Sequence, residues 1–174
     1  RWAYHSYRDG DIDKFVLAAE ELASRGYYVF RMGINVLKPL KSSNPKIIDY
    51  ANSGMRSDFM DIYLGAKCFF LITTGCGFDA ISSIFKRPIA LIHVPLGLSQ
   101  FTSSDKCLLL TKHHINKLSK KELTISEIFS SNVGIAQFSK EYEDNNVEIL
   151  ENSPEEIRDF IIEMDERLKE NWKE

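Results

Sequence analysis

No apolar run in these 174 residues approaches the length of a bilayer span, so no transmembrane helix is expected among them. The three cysteines, Cys68, Cys76 and Cys107, are odd in number, far apart and without a CxxC pair. That pattern argues against a disulfide framework and for a reducing compartment, the cytoplasm by default. His5, His93, His113 and His114 show neither HExxH nor paired Cys/His spacing, so no metal is expected. A Walker loop is missing, since no GK[ST] follows the glycines. No repeat or low-complexity segment interrupts the chain. It opens on Arg1 rather than Met and carries no basic-then-apolar leader, which points to a piece of a longer protein.

Excess charge is also scarce. The net value is -3, divided as +3 over residues 1–95 and -6 over 96–174. So small and scattered an excess does not suggest a nucleic-acid surface but is compatible with a small anionic ligand in the basic half. What is present is 44% hydrophobic and 27% charged residues, enough for one core and one domain over 1–174.

The most informative run is Cys68 to His93. The continuous apolar stretch Cys68 to Ile72 reads as a strand buried on both faces, and Phe78, Ile81, Ile84 and Phe85 recur at helical spacing. A second strand, Ile89 to Val94, follows Pro88, giving a βαβ unit. Gly75 and Gly77 fall between strand and helix, where a turn with positive φ and unshielded amides would form a phosphate cradle at a helix start. Thr74, Gly75, Cys76, Gly77, Phe78 and Asp79 are the candidate binding residues. A glycine turn that merely fits strand to helix is the competing reading. Asp79 suits the helix dipole but repels a close phosphate, which leaves a sugar hydroxyl or a nearby Arg as its partner. A helix start would lower the Cys76 pKa, yet the position where a phosphatase loop needs Arg is Ser82, which argues against a nucleophilic thiolate.

Around this run, Trp2 to His5 reads as the end of a first strand. A helix capped by Asp9 or Asp11 follows and stops at Gly26, and Tyr27 to Met32 reads as a second strand. Arg8 and Arg31 would then lie at the carboxyl ends of two strands, the edge where open α/β sheets bind ligands. Residues 34–46 form a loop with solvated Lys38, Lys41 and Lys46, and Ile47 to Tyr50 a short strand. Ser57 and Asp58 open a helix, with Arg56 just before it. Lys106 to Leu110 and Val147 to Leu150 read as strands. Thr124 to Phe129 reads as a helix continuing towards Phe138. Adjacent His113 and His114 point different ways. Ser153-Pro154-Glu155-Glu156 opens a helix reaching about Trp172. Together these predict a doubly wound α/β domain with a mostly parallel sheet.

Gly75-x-Gly77-x-x-Ala80 matches the relaxed dinucleotide fingerprint, but the acid expected about twenty residues on is absent; His93 to Gly97 occupies that place and the next acid is Asp105. The motif also follows a complete unit instead of opening one, so an NAD enzyme is demoted.

Arg31-Met32-Gly33, Asp49-Tyr50-Ala51-Asn52, Ser57-Asp58-Phe59-x-Asp61-Ile62 and Thr73-Thr74-Gly75-Cys76-Gly77-Phe78-Asp79-Ala80, followed by Ile84-Phe85-Lys86-Arg87-Pro88-Ile89, resemble bacterial glycosyltransferases of surface-carbohydrate gene clusters. The similarity spans roughly Tyr4 to Gly97. More broadly, the glycine turn, short helix and "RP" strand are similar to the donor-binding, carboxyl-terminal half of GT-B enzymes. His5-Ser6-Tyr7-Arg8-Asp9 is similar to the basic motif of fucosyltransferases of that architecture, with altered spacing. The resemblance implies a Rossmann-like domain whose substrate is a nucleoside-diphosphate sugar, with no cofactor. The diphosphate would sit on the amides of Gly75 to Phe78, and Arg8 and Arg31 would act as catalytic cations. An amino-terminal domain of the same chain would bring the acceptor and the base, leaving the fragment itself inactive. A peripheral membrane contact of the full-length protein is a further expectation. Two alternatives stand beside it: a sugar-nucleotide epimerase or hydrolase half using Asp58, Asp79 and His93, and a non-catalytic lectin-like or assembly module.

Overall fold

The computed structural model describes residues 3–96 and 106–170. Ala3–Arg8 is a kinked 3-10 segment, not the expected strand. Its aromatic residues find partners far along the chain: His5 stacks on Phe138 with centroids 5.5 Å apart, and its Nδ1 lies 3.2 Å from the Gln137 carbonyl. Side-chain stacking there replaces a strand ladder. Trp2 lies outside the described residues, and among those described the expected first βαβ unit shows its helix and second strand but no opening strand.

Asp11 accepts from the Asp13 amide and opens a 3-10 turn, Ile12–Phe15, which runs into α1 (Val16–Ser24). The helix ends at Arg25, and Gly26, at φ +102°, turns the chain out of it. Strand β1 is only Val29–Phe30, paired in parallel with β2, Ile47–Ile48. The intervening loop is tied down: Lys38, at the surface as expected, reaches Asp11 and Asp13 at 2.5 and 2.6 Å.

Ser57 caps α2 (Asp58–Lys67) by accepting from the Met60 amide, as its position predicts. The helix leads to β3 (Leu71–Thr73), then the glycine turn, then α3 (Asp79–Ile84) and β4 (Ile89–Val94). Strand β5, Cys107–Thr111, completes a parallel sheet in the order β3-β4-β5. Beyond it, β6 (His113–Asn116), which the sequence did not disclose, precedes α4 (Ile125–Phe129) and α5 (Ser139–Asp144). The expected continuation of α4 to Phe138 is broken by a 3-10 turn, Asn132–Ile135. Finally β7 (Val147–Leu150) pairs antiparallel with β6 and leads into α6 (Pro154–Lys169). Trp172 and the Gly97 turn lie outside the described residues.

Helix α6 starts as its sequence dictates. Ser153 and Glu156 form a reciprocal capping box with Pro154 in the first turn. Ile157, Ile161 and Met164, one face of the helix, are fully buried against Ala18 and Leu22 of α1 and Ala90 and Ile92 of β4. Each such buried side chain contributes about 1.5–3 kcal/mol. The protein is thus a mixed α/β structure with parallel strand pairs and helices packed on them. Among the described residues no helix is long and apolar enough to cross a membrane.

Candidate functional site

The glycine turn leaves β3 at the carboxyl end of the strand. Gly75, at φ +84°, adopts a backbone conformation that L side chains rarely take, which accounts for glycine there. Gly77 does not need positive φ; a Cβ there would meet nothing within 4 Å, so the space on that side of the turn is open. The two glycines therefore serve different ends, one turning the chain and the other leaving it uncovered.

The cradle expected from the Gly75 to Phe78 amides is partly filled by the protein itself. Gly75 N–H donates to Thr73 Oγ1 at 3.1 Å, and Cys76 N–H to Asp79 Oδ2 at 2.9 Å. Thr73 Oγ1 donates in turn to the second Asp79 oxygen at 2.5 Å. The Phe78 N–H bears on the Cys76 sulfur. Asp79 thus closes a ring over the turn. Burial holds its carboxyl above the ordinary carboxylate range, against the pull of Thr73, the Cys76 amide and the Arg8 charge. Cys76 departs from the expected lowered value: burial, then the Asp79 charge, push its thiol up. A reactive thiolate is correspondingly disfavoured.

Arg8 is brought to this turn across 67 residues of sequence, its Nη2 donating to the Gly75 carbonyl at 2.9 Å. It arrives on the 3-10 segment rather than at a strand end. Arg31 does follow β1, but its Nη1 is tied to Asp49 Oδ1 at 3.2 Å, and Asp49 also holds the Leu40 amide and the Asn52 side chain. Arg31 and the turn nevertheless line one cavity of about 540 Å³, together with Gly10, Thr74, Cys76 and Phe78. Arg56 pairs with Asp58 and Asp61 at the start of α2, and the cavity lining does not include it.

Beside Thr74 sits a second group that sequence reasoning largely missed. A Cβ on Gly10 would lie 3.0 Å from His93 Cδ2 and 3.2 Å from Thr74 Cγ2, so a side chain there would press on both. His93 is fully buried at φ +58°, where the β4–β5 register shifts. Asn152 engages its Nδ1 at 3.0 Å; Nε2 has no hydrogen-bond partner among the described residues, with Glu151 Oε2 at 3.7 Å. Glu151 also meets Lys14 at 3.2 Å and the Asp11 amide at 3.3 Å, while buried Lys112 donates to the Asp9 carbonyl at 2.6 Å. Burial holds the His93 pKa below the ordinary imidazole value, so the ring is neutral near pH 7. The only sequence signal for Glu151 and Asn152 was their place just past a strand end.

Among the described residues no group of three or more His, Cys, Asp or Glu side chains is placed to hold a metal ion. No family model, curated protein or solved structure matches this chain.

Proposed function

We propose that this chain is the donor-binding domain of a GT-B-type glycosyltransferase, doubly wound in topology, that takes a nucleoside-diphosphate sugar as its substrate. One observation supports the reading above others: Arg8 and the Gly75 turn, remote in sequence, meet at the carboxyl edge of the sheet. The cation and a glycine turn at the carboxyl end of a strand are parts that such a donor needs.

Because Asp79 and Thr73 occupy the Gly75 and Cys76 amides, the diphosphate lies outward, against the Arg8 guanidinium and over the open side of Gly77. Asp79 then serves a sugar hydroxyl. Charge grows on the leaving diphosphate as the glycosidic bond breaks, so a fixed guanidinium stabilises the transition state more than the ground state. Arg31, neutralised by Asp49, orders the cavity wall in place of the catalytic part first expected of it. An amino-terminal domain of the same polypeptide supplies the acceptor and its base, so the 174 residues bind donor without turning it over. Action on surface glycans from the cytoplasmic side, with a peripheral membrane contact of the full-length protein, belongs to the same reading.

Calorimetry and thermal shift with UDP and GDP test it. Binding that falls by about 1.5–3 kcal/mol in Arg8→Ala is expected. A second reading, a non-catalytic module, is favoured by the way Asp79 satisfies the turn without any ligand. Absence of heat and of any melting shift at millimolar nucleotide would select it. The epimerase alternative loses ground because His93 is fully buried and offers a ligand no ring atom.

A further inference from the structure

Strands β1 and β3 each present one edge without a ladder, and the two edges line the same cleft. Val29 and Arg31 donate to the carbonyls of Lys46 and Ile48 at 2.8 and 2.9 Å, and Leu71 to that of Pro88 at 2.9 Å. By alternation, the main-chain groups of Tyr28, Phe30 and Met32 turn to the other side of β1, and those of Phe70 and Ile72 to the other side of β3. Among the described residues no ladder joins β1 to β3. All five residues line the 540 Å³ cavity. Inner parallel strands are normally covered on both faces, yet Tyr28 is 66% exposed, Phe30 39% and Phe69 47%.

We infer that the cleft takes one further parallel β-strand, supplied by the polypeptide immediately upstream of Ala3. The topology selects this occupant over a separate partner. Residues 3–10 lie at the carboxyl end of β3, with Arg8 on the Gly75 carbonyl and Gly10 against Thr74. From there α1 carries the chain back, and Tyr27 N–H bonds to the Leu22 carbonyl at the entry to β1. A strand finishing at Ala3 therefore runs parallel to β1, and α1 is its crossover. In the same way α2 brings the chain from β2 to β3. Helices α1 and α6 pack together, and α2 packs on α3. The sheet then reads β2-β1-new-β3-β4-β5, which in chain order is 3-2-1-4-5-6, the order of doubly wound nucleotide-binding sheets. Its direction reverses between the new strand and β3, beside Arg8 and Gly75. About five mainly apolar residues suffice.

The inference stands whether or not a nucleotide binds, and hydrogen exchange tests it without one. The 174-residue chain is compared with the same chain lengthened upstream by about ten of its natural residues. In the short form the Phe30 and Ile72 amides exchange freely while Val29, Arg31 and Leu71 are protected. In the long form Phe30 and Ile72 slow by roughly 100-fold or more, and the melting temperature rises. Phe30→Pro, which removes the N–H that the new ladder uses, lowers the melting temperature more in the long form than in the short. Equal exchange in both lengths overturns the inference. So does protection in the short form that grows with concentration alongside a dimer, which would put a second copy in the cleft.

Discussion

Removing the Asp165 carboxylate provides the sharpest test of how α6 holds the sheet. Its side chain is wholly buried and accepts from Arg25 at 3.0 Å, Lys169 at 2.8 Å and the Tyr27 hydroxyl at 2.5 Å. Deleting one partner of a buried ion pair costs about 3–5 kcal/mol, because the other charge is stranded. Here Arg25 keeps Glu21 at 2.7 Å and Lys169 is 48% exposed, so both cations recover water or another anion. The half-buried Tyr27 hydroxyl cannot do so as readily. Asp165→Ala should therefore cost about 3 kcal/mol, the lower end of that range. For a chain of this size that lowers the melting temperature by about 6–12 °C. Burial works against the charged carboxyl, but hydrogen bonds from Lys169, Tyr27 and Arg25 hold its pKa below the ordinary range. The depressed folded value means that its contribution is present above the unfolded pKa of about 3.9 and is lost as pH falls through the folded value. Chemical denaturation of wild type and variant from pH 7 to pH 3 reads both effects. A loss under about 1 kcal/mol at pH 7, or a gap that does not narrow below pH 4, refutes the reasoning.

The two glycines of the turn should separate cleanly in denaturant melts. Gly75→Ala forces a side chain into φ +84° and should cost about 1–2 kcal/mol, whereas Gly77→Ala should be near neutral in stability; equal costs would contradict these roles. Gly77→Val should leave the fold intact and abolish any nucleotide-induced melting shift, since a branched side chain would fill the open space over the turn. Gly134→Ala would place a methyl 2.8 Å from the Ile128 carbonyl oxygen, with a cost of about 1–3 kcal/mol. Buried, neutral His93 has a lowered folded pKa, so unfolding takes up a proton as pH drops below about 6.5 and stability falls in that window. His93→Gln should flatten this acid slope, as followed by melting temperature between pH 7 and pH 5.

Some of the site was legible because its geometry is local. The break at Gly75 and Ile89–Val94 after it follow from a few adjacent residues, and the caps at Ser57 and Ser153 bond within three residues, whereas the strand before the turn is Leu71–Thr73, shorter and less covered than the apolar run Cys68 to Ile72 suggested. The Asp79 ring over the turn spans only six residues, but rotamers closed it, and no pattern of residue types foretells that a carboxylate will take the amides reserved for a ligand.

The sequence by itself determined the alternation of helices and strands, the capped starts of α2 and α6, and the apolar face that buries α6. Those depend on hydrogen bonds and periodicities within a turn or two of chain. Only the tertiary structure decided that Arg8 meets Gly75 across 67 residues, that His93 is engaged by Asn152 across 59, and that Asp165 is engaged by Tyr27 across 138. It also decided that the aromatic start of the chain stacks on Phe138 instead of forming a strand. Such pairings come from the packing of distant elements, whose relative placement no short stretch of residues encodes.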